Sequence, residues 1–371
     1  MIHAPIIISG PTGSGKSELA HRIAKHFSGE VINADSVQLY SGHDIGAAIP
    51  SQSHQEQVRY HLYGALSGSK PCDVQGYVHA AQAVLEDVQN RGVTPVIVGG
   101  STLYLEGLLA GISQLPPSKP ELRRELESEK TETLYERLSS LDPQRSASLH
   151  PHDRIRIVRS LEVCLLSGQT YTELCAKDSR VQICHNATVV IPVWSRSDLY
   201  RRIEKRAERM VREGIIEEAR YLFGCFGSEW QCRTALGYKQ IFERLVSREA
   251  VEQHAHKEIA YEIAQATRRY AKRQMTYWRN APRKFHWDVF PDNKVKNKSE
   301  IELLAQDSGK RGATGEHRRG FHVWKWGLDK LCDGLRERRI TLERRPDTAL
   351  CNSSRTATHE VWFLHAEKLG L

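Results

Sequence analysis

Residues 10–17 read Gly-Pro-Thr-Gly-Ser-Gly-Lys-Ser. The apolar β-branched run Ile6-Ile7-Ile8 precedes them, and a helical pattern with Leu19, Ala20, Ile23 and Ala24 on one face follows. That is the strand–loop–helix context in which such an octet cradles phosphate. Gly10, Gly13 and Gly15 let successive backbone N–H groups point inward, with Pro11, Thr12 and Ser14 completing the loop. The helix N-terminus adds its partial positive charge to the attraction. Lys16 supplies a point charge for the terminal phosphate, and the Ser17 hydroxyl is the expected contact of a Mg²⁺ ion. The octet predicts a phosphorylated ligand and leaves ATP, GTP and a plain diphosphate open.

Asp35 follows a second short strand, residues 29–34, and heads Asp35-Ser36-Val37-Gln38-Leu39-Tyr40. A generic ATPase closes an apolar strand with its Mg²⁺-associated Asp. Here the strand Pro95-Val96-Ile97-Val98 closes instead in Gly99-Gly100-Ser101, and the guanine-reading Asn-Lys-x-Asp is absent. A carboxylate with no second acid beside it suits a general base, and it equally suits the N-cap of a following helix. Ser101 could cap a helix, or orient Asp35 or a substrate amine. Arg59 and His61 lie in a polar segment to which the sequence assigns no role.

The stretch Tyr261–Arg279 is the second chemical signal. Ile259, Ile263, Ala266 and Tyr270 make an apolar stripe, while Arg268, Arg269, Lys272, Arg273 and Arg279 crowd the other sides among aromatics. No acid follows Glu262 to balance them at i,i+4. Guanidinium forks pair with phosphate and aromatics stack on unpaired bases, so the stretch predicts RNA contact rather than a merely solvated face.

The elements that must position these residues alternate strand and helix through the first third. This predicts a parallel sheet with ligands at the strands' C-terminal ends, where the octet, Asp35 and Gly99-Gly100 all fall. The expected fold is α/β: a P-loop NTPase-like parallel sheet flanked by helices, with a helical insertion domain. The boundaries read as a P-loop core over 1–115, an insertion over 116–186, the rest of the core with basic helices over 187–290, and an irregular tail, disordered or loosely attached, over 291–371.

The chain has 371 residues and a net charge of +8. Residues 1–115 hold 6 Lys and Arg against 9 Asp and Glu, and the remainder holds 47 against 36. A basic remainder points to a polyanionic partner, most simply nucleic acid. Eight cysteines without a Cys-x-x-Cys pair argue against a zinc ribbon or disulfide framework. With no apolar run of membrane-spanning length and no signal-peptide pattern at Met1–Pro5, a cytoplasmic protein without membrane contact is expected.

Taken in order, these motifs resemble the tRNA dimethylallyltransferase family (isopentenyl-diphosphate:tRNA transferases). The resemblance runs from about residue 5 to 288. It rests on the octet, Asp35–Tyr40 leading to Asp44-Ile45-Gly46, and Val98-Gly99-Gly100. It continues through His150-Pro151-His152-Asp153, Arg159–Val163, Leu236-Gly237-Tyr238-Lys239 and Ala271–Thr276. It implies transfer of a dimethylallyl group from dimethylallyl diphosphate to N6 of the adenosine just 3′ of the anticodon, in tRNAs reading codons that begin with U. The octet then holds the diphosphate, with Mg²⁺ on Ser17. Lys16, Asp35 as general base, and Ser101 are the catalytic set, and Arg202 joins the diphosphate contacts.

The RNA-contacting positions implied are Asp35, Ser36, Val37, Gln38, Ser101, Arg123, Ile155, Arg156, Ile157, Val158, Arg159, Thr234, Gly237, Tyr238, Lys239, Lys272, Arg273, Gln274 and Arg279. A monomer is expected. The chain departs from the family in having Ser101 for a Thr, Ile49 for a Lys, and Tyr60 in place of the first of two His. Two other readings fit the same residues. A P-loop small-molecule kinase would turn over ATP without RNA, and a non-catalytic RNA-binding NTPase would tolerate loss of Asp35.

Overall fold

The computed structural model describes residues 4–177, 183–184, 187–247, 255–285, 288–290, 301–303, 322–324, 332–333, 335–336, 360–366 and 371. Strand β1 (Ile6–Ile8) enters α1 (Lys16–His26), and β2 (Glu30–Asn33) follows. Next come α2 (Gln52–Gln57), β3 (Tyr60–His61), α3 (Val74–Asn90), β4 (Pro95–Val98) and α4 (Thr102–Ala110). Helices α5 (Pro120–Ser128), α6 (Thr131–Leu141), α7 (Pro143–Ala147), α8 (Arg154–Ser167) and α9 (Tyr171–Lys177) occupy the chain before β5 (Thr188–Val193). Then follow α10 (Arg196–Glu213), α11 (Ile215–Phe226), α12 (Tyr238–Val246) and α13 (His256–Phe285), with β6 (Asp288–Phe290), β7 (Ile301–Leu303), β8 (His322–Trp324) and β9 (Glu360–His365) beyond.

The sheet runs β3-β2-β4-β1-β5 and is parallel throughout that span. Ile7 pairs with Ile97 on one side and Val189 on the other, so β1 is central. The strands are unbroken apolar runs, buried at every position of β1, β4 and β5, as a parallel sheet flanked by helices requires. Leu19, Ala20, Ile23 and Ala24 of α1 pack on Ile6, Ile8, Val96, Val98 and Val190, the stripe the sequence predicts. No helix among the described residues is long and apolar enough to cross a membrane.

The expectation of an irregular tail is corrected at 360–365. There β9 lies parallel to β5 from Glu360 opposite Thr188 to His365 opposite Val193, and it also carries β6 and β8. Its buried Leu364 joins the main core, as does Leu335. The apolar run Val361-Trp362-Phe363-Leu364 within this strand is too short to show a period of its own, so periodicity does not separate strand from helix there.

Residues 110–182 form a compact unit of their own, bounded close to the expected 116–186; residues 1–109 and 183–371 form the other. The helical unit has its own core of Leu126, Leu134, Leu138, Leu149, Ile157, Val158 and Leu161. Its two buried acids are fully occupied. Asp142 accepts from Arg145 N, Thr172 N and the Thr172 hydroxyl. Glu162 accepts from the Ser118 hydroxyl, Lys119 N and Arg159.

Candidate active site

A cavity of about 520 Å³ opens at the C-terminal ends of β1, β2 and β4, lined among others by Lys16, Asp35, Ser101, Arg206, Arg273 and Gln274. Its floor is the glycine loop. Gly10, Gly13 and Gly15 all take positive φ, which side-chain-bearing residues rarely adopt. The loop's carbonyls are tied away from the cavity centre: Gly13 O accepts from Arg202 Nε at 3.0 Å and Ser14 O from Trp194 Nε1 at 3.0 Å. Arg202 also stacks over the Trp194 ring, 4.3 Å from its centroid. Arg202, expected on the diphosphate, thus braces the loop through its Nε.

The backbone N–H groups of Gly13, Gly15, Lys16 and Ser17 have no partner among the described residues. The buried Ser14 hydroxyl is likewise unpartnered. Unpaired donors at the start of an 11-residue helix form an anion site. Thr12 departs from the expectation of a diphosphate contact through its amide, because its N–H is given to Gln274 Oε1 at 2.8 Å.

Lys16 Nζ donates to Pro11 O at 2.8 Å. Burial lowers its pKa to about 8, opposed by the attraction of Asp35 and assisted by the repulsion of Arg206. Arg206 was missed by the sequence reading. It lies one turn beyond Arg202 on α10, lines the cavity, and has no hydrogen-bond or ion-pair partner among the described residues. Burial also lowers its pKa, offset by Asp35 and reinforced by Arg209. The i,i+4 spacing from Arg202 was the available signal, masked by the many cations of that helix.

Asp35 is held by its backbone. Its N–H donates to Asn33 Oδ1 at 2.8 Å, and Asn33 Nδ2 donates to Asp35 O and Leu62 O. Asp35 Oδ1 accepts from Val37 N at 2.9 Å, while Oδ2 has no hydrogen-bond donor among the described residues. A Cβ on Gly100 would come within 2.6 Å of Gln274 Nε2, so glycine is what lets the Gln274 amide reach this turn, while Asp35 Oδ2 would be an ordinary contact at 3.7 Å. Gly99 is still tighter: a Cβ there would lie 2.0 Å from Ala34 O. Ser101 accepts from Ser36 N at 2.9 Å and donates to the Ser36 hydroxyl at 3.2 Å. It orients the residue next to Asp35, which is a positioning task.

The remaining expected RNA positions divide. Ser36, Val37 and Gln38 all line the cavity, and Gln38 is buried there with its amide nitrogen donating to Ala47 O and Ala48 O. Tyr238 is corrected: it is fully buried, and its hydroxyl donates to Glu218, whose carboxylate also accepts from Ile45 N and Gly46 N. A Cβ on Gly46 would strike the Tyr238 ring at 2.3 Å, which explains the glycine of Asp44-Ile45-Gly46. His43 accepts from Trp230 Nε1 at 2.8 Å and contacts Ser41 O through Nδ1, so its neutral Nδ1–H tautomer completes this wall. Gly237 is buried with φ 91°, while Thr234 and Lys239 are exposed, the latter 3.6 Å from Glu243.

Gln274 lines the cavity but is 2% exposed, and its amide is engaged by Thr12 N and Gly100 O. Lys272, Arg273 and Arg279 are exposed. Arg268, expected to lack an acid, pairs with Glu204 across from α10.

Within the helical unit, Ile157 and Val158 are core residues and are corrected as RNA contacts. Ile155 is 74% exposed between Arg154 and Arg156. Arg156 is exposed, Arg123 pairs with Glu127, and Arg159 is engaged by Glu162 and Pro116 O. His61, left without a role, hydrogen-bonds Glu30 together with Arg91, and these partners hold the Glu30 carboxyl down at about 2.

A glycine loop with unpaired backbone donors at the end of β1, facing a carboxylate at the end of β2, is the arrangement of a P-loop α/β protein. The sequence profile of the IPP transferases matches residues 38–281. A tRNA dimethylallyltransferase of Chlorobaculum parvum is 39% identical over 74% of this chain and 89% of its own, and one of Geobacter sulfurreducens is 38% identical over 78% and 92%. The solved full-length tRNA isopentenylpyrophosphate transferase of Bacillus halodurans is 30% identical, with a TM-score of 0.52 over 75% of this chain and 87% of its own. A eukaryotic dimethylallyltransferase acting on tRNA shares the fold at 24% identity, with a TM-score of 0.63 over 74% and 69%. The chain belongs to the IPP transferase family and is a transferase.

Proposed function

We propose that this protein is a tRNA dimethylallyltransferase. It moves the dimethylallyl group from dimethylallyl diphosphate to N6 of the adenosine just 3′ of the anticodon, in tRNAs reading codons that begin with U. One observation carries the reading: the free Oδ2 of Asp35 shares a single cavity with Lys16, Arg206 and the unpaired loop amides. In the reaction the N6 lone pair forms a bond to C1 of the allyl group. The C1–O bond breaks, with its electrons leaving on the diphosphate. An exocyclic adenine amine is a weak nucleophile, so Asp35 takes the N6 proton as the bond forms. Lys16, Arg206, the loop N–H groups and the Ser14 hydroxyl meet the charge that accumulates on the leaving group.

Ser17, exposed at the cavity and free of hydrogen bonds among the described residues, fits a Mg²⁺ ion that keeps most of its ligands from phosphate and water. Bound there, Mg²⁺ would supply further charge to the diphosphate. On the tRNA side the reading draws on the exposed side chains: Arg123, Ile155 and Arg156 on the helical unit, and Thr234, Lys239, Lys272, Arg273 and Arg279 on the other. The target base must leave its stack to reach Asp35.

The test is mass spectrometry of unmodified tRNA incubated with enzyme and dimethylallyl diphosphate. The expected result is a gain of one C5H8 unit on an adenosine next to the anticodon, with negligible ATP turnover. Unchanged tRNA together with RNA-independent ATP turnover would assign the site to a kinase.

A further inference from the structure

Gln274 stands in the buried stripe of α13, among Thr267, Ala271 and Trp278. A buried primary amide is costly unless both ends are satisfied, and here both ends are spent on the two loops that define the site. Its Oε1 accepts from Thr12 N at 2.8 Å and its Nε2 donates to Gly100 O at 2.8 Å. Tyr270, one turn earlier on α13, donates to the same Gly100 carbonyl at 3.3 Å. From Gly100 the chain passes to Ser101, whose N–H donates to Ala34 O and whose hydroxyl holds Ser36. The phosphate loop and the Asp35 loop therefore meet at one side chain of a third element.

We propose that Gln274 is a positioning residue that sets the distance between the diphosphate cradle and the general base. The proposal rests on the dimethylallyl-transfer reading for its catalytic arm only. By occupying Thr12 N–H, Gln274 withdraws that donor from the anion site and leaves Gly13, Gly15, Lys16 and Ser17 as its amides. By holding Gly100 O, it fixes the glycine turn that runs beside Asp35 Oδ2 into Ser101. Its neighbours Lys272 and Arg273 are exposed on the same helix, so the residue inside and the cations outside divide the work of one segment. Misplacing a base or a leaving group by an ångström costs about 10²-fold in rate.

The experiment uses two variants of the full chain. Gln274→Met removes both hydrogen bonds at nearly constant volume. Gln274→Glu keeps the acceptor for Thr12 N and can donate to Gly100 O only when protonated. Expected for Gln274→Met are a loss of about tenfold in affinity for inorganic pyrophosphate by calorimetry, the equivalent of one hydrogen bond's worth of loop order. Its kcat should fall about 10²-fold while tRNA affinity stays within about twofold.

For Gln274→Glu, kcat relative to wild type should rise as pH is lowered from about 8 to about 6, because protonation restores the donor to Gly100 O. Weakened tRNA binding with unchanged pyrophosphate affinity would overturn the proposal in favour of direct RNA contact. A Gln274→Glu variant whose relative kcat does not move with pH would overturn it as well, including where Gln274→Met fails to fold. If wild type binds pyrophosphate and the Met variant does not, yet no prenyl group reaches tRNA, the positioning role stands and the function reading falls.

Discussion

The two compact units differ in whether any polar side chain is left without a partner. In the helical unit, Asp142 and Glu162 each take three donors, and no buried side-chain polar atom of its described residues is unpartnered. In the other unit Glu30 is likewise paired, but the buried Ser14 hydroxyl, Tyr63 hydroxyl and Trp278 Nε1 have no partner, and at the cavity the half-buried Asp35 keeps a free oxygen and the half-buried Arg206 has no hydrogen-bond partner among the described residues. Unpaired polar groups are costly, and Asp35 and Arg206 share one cavity, where a ligand would complete them.

The largest effect that would test this contrast is at Asp35. Asp35→Asn keeps the shape and the acceptor for Val37 N but cannot take a proton. Turnover should fall about 10²–10⁴-fold with tRNA affinity little changed. Near-normal turnover would return Asp35 to a capping role and erase the contrast.

Glu162→Ala should act the other way. It strips a buried, three-donor acid, leaving the Ser118 hydroxyl and Lys119 N without an acceptor and Arg159 with Pro116 O alone, at a cost of roughly 2–4 kcal/mol in stability. Urea unfolding should report that loss, while pyrophosphate affinity of the folded protein stays unchanged. A fall in pyrophosphate affinity equal to that of an active-site variant would mean that the acids of the two units do not differ in kind.

Arg206→Met then separates charge from packing on α10. It removes one cation from the cavity and keeps most of the stem, so dimethylallyl diphosphate affinity should fall about 10–50-fold, as for loss of a charge-assisted contact. The variant would also relieve Lys16 of a repulsive neighbour. An unchanged KM would show that Arg206 faces the cavity without meeting the ligand.

The pH dependence of that same binding is a smaller effect with a definite sign. In the free enzyme the depressed pKa means that Lys16 loses its charge as pH rises through about 8. Affinity for the diphosphate should therefore hold below about pH 8 and fall above it by up to about tenfold per pH unit, with proton uptake on binding in that range. Flat affinity from pH 7 to pH 9 would show that Lys16 stays charged in the free site.

Much of the site was legible because its residues sit where chain order and sheet direction both point. The octet after β1, Asp35 after β2 and Gly99-Gly100 after β4 each follow an apolar strand, and parallel strands bring such ends together. What stayed illegible depends on which way a side chain faces. Tyr238, Gln274, Ile157 and Val158 lie in the stretches that the family resemblance marks as RNA-contacting, yet they point inward to Glu218, Thr12 and the helical core. A motif marks a segment, whereas a helix shows a partner only one of its faces. Arg206 and β9 escaped for different reasons: one lay hidden among many cations of α10, the other is a four-residue apolar run too short to show a period.

The same question of facing decides the last and smallest effect. Of the cations on α13, Arg268 is committed to Glu204 and lies near the Tyr200 and Tyr261 rings, so it belongs to the packing of α10 on α13. Arg269 and Lys272 are exposed and have no acidic partner among the described residues. Replacing both with Gln should weaken tRNA binding several-fold and flatten the log–log dependence of affinity on salt by about one to two units, as counterion release from two phosphates predicts. The loss should be uniform across substrate tRNAs, because phosphate contacts position the RNA without reading it. Arg268→Gln, in contrast, should leave the salt slope unchanged and lower the melting temperature slightly through its lost ion pair. If the Arg268 variant flattens the slope and the double variant does not, the RNA lies on the α10 side of this helix, and the division between structural and RNA-facing cations on α13 must be redrawn.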